Sequence, residues 1–169
     1  MRIRRLLFRL RSEDGQTLVE FALAFVVFIF LVFAIFDFGH LFFVEMDVQN
    51  AIQEAARYGS TGNHLPNPKN PDQTLSRNRS IIDTLKSDAM GVQFSSIQIS
   101  SIPISSLSGG STTSSSPGAG GPGELMTLSA TVKMPLMTPL IAQMFPNGQY
   151  TFTESVTIMN EPFPASQTN

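Results

Sequence analysis

The sequence predicts an α+β protein. A long N-terminal transmembrane helix continues into an amphipathic helix, which packs on a small head with a second helix and about three antiparallel strands. Three observations predict this. Phe21 to Phe36 is a run of sixteen residues without a polar side chain. A 3-4 spaced apolar seam follows it without a break, at Leu41, Val44, Val48, Ala51, Ala55 and Tyr58. Later in the chain, three stretches alternate apolar and polar residues with the period of a strand.

Charge places the N-terminal elements. The first fifteen residues hold five arginines and two acids, whereas the remainder holds six basic and eleven acidic residues. With Leu18 and Val19 before it and Phe38 to Val44 after it, the apolar run reaches the roughly 20 residues that span a bilayer. The next basic residue beyond it is Arg57. The excess of arginine on one side predicts a cytoplasmic N-terminus and a body on the far side of the membrane. The sequence after the run, FDFGHLFFVEM, has no small-residue signal-peptidase site, so the apolar segment is expected to stay with the protein.

The divisions read as follows: 1–15 a basic leader that is removed; 16–44 the transmembrane helix; 45–104 the amphipathic helix, a loop, the second helix and the first strand; 105–123 a flexible Ser/Gly linker; 124–169 the closing strands and tail. Gly59 and Gly62 are the expected stops of the first helix. NHLPNPKNP (Asn63 to Pro71) reads as a proline-broken loop. Asn70-Pro71-Asp72-Gln73 has the order of an N-cap, a proline at the first position and an acidic first turn, so the second helix is expected to start there and to end at Gly91. Val92 to Ile104 is the first strand, with a break expected near Ser100-Ser101. Leu125 to Met134 and Phe152 to Ile158 are the other two, and LIAQMF between them suits a short helical turn. Ser105 to Gly123 has a composition with little to bury.

The candidate functional residues are Gly15, Gln16, Glu20 and Phe21. Gly15 precedes the apolar run, so a cut after it removes the arginines and keeps the helix. A peptidase must fit an extended backbone at the membrane face, and glycine offers no side-chain obstacle. Glu20 stands at the entrance of the run, where a carboxylate is costly without a positive partner. Gln16, as a new N-terminus one helical turn away, would supply an ammonium to Glu20 of its own chain or of a neighbour.

Basic leader, glycine, four residues, glutamate and apolar helix together resemble the class III or type IV prepilin pattern. The stretch DGQTLVEFALAF through QNAIQEAARYG, with the Asp37-Phe38-Gly39 triplet between, resembles the TadE-like pseudopilins (minor pilins) of the Tad/Flp tight-adherence pilus system. SVTIMNE (Ser155 to Glu161) is similar to that family's closing strand. The resemblance implies cleavage between Gly15 and Gln16 by a membrane prepilin peptidase. It also implies partnership with other pilin or pseudopilin subunits, the pilus assembly platform and the lipid bilayer, in a bacterial inner membrane. Two departures stand out: the cut chain would begin with Gln16 where many type IV pilins begin with phenylalanine, and Phe25-Val26-Val27 replaces the proline that often interrupts the run.

Other classes find little support. A mildly acidic body does not suit nucleic acid. Cysteine is absent, so thiolate metal sites are excluded. His40 and His64 lack ligand-spaced company, and no catalytic, cofactor or metal residues are expected. Asp37-Phe38-Gly39 has the letters of a kinase metal-binding triplet without the other kinase motifs. Asp37 is instead expected to mark the outer membrane interface, the alternative being contact with a partner helix. The leading expectation is a non-enzymatic pseudopilin needed for pilus biogenesis and adherence. The alternatives are a single-pass anchored envelope-binding module that keeps its N-terminus, and an anchored enzyme, which would need a polar constellation in the head.

Overall fold

Helix α1 runs from Glu13 to Ser60, 48 residues and about 72 Å at 1.5 Å per residue. No proline interrupts it. Its end is closed by local hydroxyls: Ser60 Oγ donates to Arg57 O and Thr61 Oγ1 to Tyr58 O, each at 2.8 Å. Gly62 then turns the chain away at φ +75°. The computed structural model describes residues 13–107 and 115–168. Most of the expected leader lies outside the described residues.

Alpha 1 divides at Asp37. From Gly15 to Phe36 no residue is buried, whereas Asp37, Leu41, Val44, Val48, Ala51, Ile52, Ala55 and Ala56 are. The first stretch, 22 residues, measures about 33 Å, close to the roughly 30 Å hydrocarbon core of a bilayer. The second lays the expected seam on the head, except that Tyr58 is only half-buried at its margin.

After α1 the chain departs from expectation. Strand β1 (Pro66–Asn67) pairs antiparallel with β2 (Asn70–Thr74). The Asn-Pro-Asp-Gln stretch is therefore extended and starts no helix. Helix α2 (Arg77–Asp88) begins seven residues later than Asn70, behind Ser76, whose side chain accepts from Arg79 N. Both sites carry capping letters. The one that prevails leaves Asn70–Thr74 to pair with β1, and Leu65 N donates to Ser80 Oγ at 2.9 Å.

The main sheet has the order β4-β3-β5-β6, antiparallel throughout. Its strands are β3 (Phe94–Ile102), β4 (Ser116–Pro117), β5 (Leu125–Pro135) and β6 (Gln149–Met159), with single turns α3 (Ile104–Leu107) and α4 (Pro139–Ala142) in the connections. The three long strands lie where alternation places them. The irregularity in β3 falls between Phe94 and Ser96, whereas Ser100 and Ser101 pair regularly on both sides, with β4 and β5. The break expected at Ser100-Ser101 is therefore absent, because two flanking strands satisfy that backbone.

Alternation decides the faces. Met126, Leu128, Ala130, Val132 and Met134 of β5 are buried against the helices, and the residues between them are not. The other face is hydroxylated, with Thr127 bonded to Thr157 and Thr131 to Thr153 at 2.9 Å each. Small residues of α1 allow close approach beneath. A Cβ added at Gly59 would lie 2.5 Å from Ile81 Cδ1, closer than atoms pack.

The end of the Ser/Gly tract is packed structure, which corrects its reading as a flexible linker from Ser105 to Gly123. Ser116–Pro117 joins the sheet, Gly118 N donates to Ile99 O at 2.9 Å, and Ala119 is 2% exposed. Gly118, Gly120 and Gly123 hold φ of +110°, +74° and +76°, values that residues with a Cβ rarely adopt. The glycines are there to bend the chain around other side chains. Residues 108–114 of the tract lie outside the described residues.

Candidate functional site

The four expected site residues share one end of α1. Gly15 lies in the helix, and a Cβ built there meets nothing within 4 Å. Packing within the fold does not require this glycine. Glycine is a weak helix former, so this first turn of the described helix is easier to unwind than the turns after it. Gln16 Nε2 donates to Glu20 Oε1 at 3.0 Å. One turn of helix thus brings those two together, and the Glu20 carboxylate is met by a neutral amide while the rest of it stays open. Phe21 is exposed and stacks on Phe25, with ring centroids 5.8 Å apart. Among the described residues, no part of the head buries them.

At the other end of the exposed stretch, Asp37 is 5% exposed. Its Oδ1 accepts from Met137 N at 3.0 Å and its Oδ2 from Thr138 N at 2.9 Å. Asp37, expected at the membrane interface, forms an internal clasp that joins the spine to the β5–β6 connection one hundred residues away. Beside it, Phe33, Phe36, Met137, Thr138 and Pro139 line an apolar recess of about 350 Å³.

Residues 15–57 match the family described as TadE-like protein. The similarity lies wholly within the spine helix α1. The TadE-like segment opens on Gly15, takes in Gln16, Glu20, Phe21 and Asp37, and closes within the part of α1 that packs on the head. No curated protein and no solved structure matches the chain.

Beyond the TadE-like segment, the head is locked by a group that the sequence does not mark. Arg77 is fully buried. Its Nε donates to Gly59 O at 2.8 Å, its Nη1 to Gly120 O, and its Nη2 to Asn160 Oδ1 at 2.7 Å and Ala119 O at 3.3 Å. The guanidinium lies over the Phe163 ring, 4.6 Å from its centroid. Asn160 Nδ2 donates to Ala119 O and Gly121 O, both at 2.8 Å. Burial pushes the arginine below its ordinary pKa, and the Glu124 carboxylate pulls it back up; a guanidinium stays charged regardless. Four segments thus meet at one cation through neutral acceptors. This is the architecture of a structural clamp.

The histidines are placed apart. His40 is exposed, while His64 lies between Leu75 O at 2.7 Å from Nδ1 and Gln167 O at 3.1 Å from Nε2, bridging two loops. Among the described residues no group of three His, Cys, Asp or Glu is placed to hold a metal ion.

Proposed function

We propose that this chain is a pseudopilin, or minor pilin, of a Tad-type (Flp) pilus assembly and secretion machine, required for pilus biogenesis and adherence. The observation that carries this reading is the division of α1: a TadE-like helix whose first half is exposed and apolar, and whose second half holds a folded head. Such a shape suits subunits that leave a bilayer and pack helix against helix. The leader is cut between Gly15 and Gln16 by a membrane prepilin peptidase. Gly15 supports this reading, because nothing in the fold needs it. The chain sits in the inner membrane with its N-terminus in the cytoplasm and its head outside, as the arginines favour. Its partners are other pilin subunits and the assembly platform.

After cleavage, the Gln16 amine lies one turn from Glu20. A free ammonium there is a better partner than the Gln16 amide, since a charge-assisted hydrogen bond is about twice as strong as a neutral one. In a packed assembly the same carboxylate takes the amine of an adjacent subunit and sets the register between helices.

The test is N-terminal sequencing and intact mass of the protein extracted from its native membrane. The expected N-terminus is Gln16 when the peptidase is present and Met1 or Arg2 when the peptidase gene is deleted. A mature chain that begins at Met1 or Arg2 with the peptidase present overturns the reading in favour of an anchored binding module.

A further inference from the structure

We propose that the β5–β6 connection, residues 136–148, is a second membrane-contacting element, whose apolar side chains enter the outer boundary of the bilayer beside α1. The inference rests on the membrane-anchored reading and goes beyond it, because it concerns the head.

Composition is the first support. From Met134 to Tyr150 the sequence MPLMTPLIAQMFPNGQY contains no charged residue. Exposure is the second. Met137 is 81%, Leu140 65% and Met144 82% exposed, three large apolar side chains on one short connection. The head's other exposed large apolar residues, such as Met90 and Met159, lie apart on different elements.

Depth is the third support. Asp37 grips Met137 and Thr138, and it directly follows the apolar run Phe21 to Phe36, about 25 Å along the helix from Glu20 at the run's entrance and so near the far hydrocarbon edge. Phe33 and Phe36, which share the recess with Met137 and Pro139, belong to the apolar run itself. The connection is therefore continuous with the anchor's lipid-facing surface.

Backbone satisfaction is the fourth. A segment entering a water-poor boundary must pair its N–H groups internally. Leu136 N donates to Gly148 O, Ala142 N to Thr138 O, Gln143 N to Pro139 O, Met144 N to Ile141 O, Phe145 N to Ala142 O and Gly148 N to Phe145 O. Met137 and Thr138 donate to Asp37, and Pro139 and Pro146 carry no N–H; the amides of Leu140, Ile141 and Asn147 have no acceptor among these bonds, which sets the connection at headgroup level, with its side chains rather than its backbone reaching the acyl chains. The same clasp explains how a carboxylate is tolerated at this depth, since its two acceptors are engaged and covered. The occupant is lipid, with acyl chains meeting Leu140 and Met144. The head then stands with β5 ending and β6 beginning at the bilayer, and Met159 at the far end of the sheet.

The chain has no tryptophan, so Leu140→Trp creates a single reporter in the full-length protein. It is reconstituted in phosphatidylcholine–phosphatidylglycerol vesicles with and without brominated acyl chains, and Met159→Trp serves as the distal control. The expected result is blue-shifted emission from Leu140→Trp that brominated lipid quenches, against red-shifted, unquenched emission from Met159→Trp. Adding Asp37→Ala to Leu140→Trp should weaken the quenching, and circular dichroism of the same sample reports the fold. Unquenched, red-shifted emission from Leu140→Trp in protein that floats with the vesicles overturns the proposal and leaves the anchor standing. Unquenched but blue-shifted emission that grows with protein density also overturns it, in favour of a second copy on this surface. Protein that fails to float refutes the anchored reading as well.

Discussion

Glu20 and Asp37 bound the apolar run of α1, Phe21 to Phe36, and they are treated in opposite ways. Asp37 is enclosed and receives two backbone N–H groups. Glu20 is open and receives one amide. On the proposed function, this open carboxylate is the one that takes a positive partner during assembly. Glu20→Ala should therefore insert and be processed but fail to join pili, and Glu20→Gln should be nearly as poor; gel mobility and surface-attachment assays in a deletion background check the two steps separately. Gly15→Leu should leave the fold intact, since a side chain there meets nothing, while the peptidase product disappears. Both forms must give the same circular dichroism for that comparison to hold. Arg77→Ala acts elsewhere. It leaves Gly120 O and Asn160 Oδ1 without their donor, removes one of the two donors to Gly59 O and to Ala119 O and opens a cavity, so a loss of about 3–5 kcal/mol is expected, read from denaturant unfolding. Arg77→Lys should recover little of it, because one ammonium lacks the planar fork that reaches four acceptors.

Among the elements, the glycine-rich connection before β5 separates composition from role. Residues 108–114 share the composition of a linker, and shortening that stretch is expected to leave the thermal midpoint nearly unchanged. The stretch from Ser116 to Gly123 has a similar composition but supplies carbonyls to Arg77 and Asn160. Gly120→Val forces a branched side chain to φ +74° and should cost at least about 1–3 kcal/mol for the backbone alone. An unchanged melting temperature for Gly120→Val would show that the glycine's conformation is dispensable. The same contrast explains the misplaced start of α2. Asn70 and Ser76 are both capable caps, but Asn70 to Thr74 is taken by pairing with β1 and Leu75 N donates to Leu65 O, so the helix starts behind Ser76.

At the scale of the molecule, a bare apolar rod and a folded head meet at Asp37. The buried core residues lie at Leu41 and beyond. A chain beginning at Asp37 is therefore expected to fold with a cooperative melt in mild detergent, and one beginning at Leu41, without the clasp, to melt at lower temperature. Circular dichroism of the two checks this. The sequence alone determined the apolar stretch of α1, its seam and the three long strands. Each is a periodic pattern of apolar residues, written locally in the chain and enforced by burial. Only the tertiary structure decided the Asp37 clasp, the Arg77 clamp and the wrapping of Gly118 to Gly123. In these a side chain meets backbone groups forty or one hundred residues away. Every residue but proline carries the same N–H and every residue the same carbonyl, so no letter of the sequence marks which of them will be the partner; that is set only when the elements have packed.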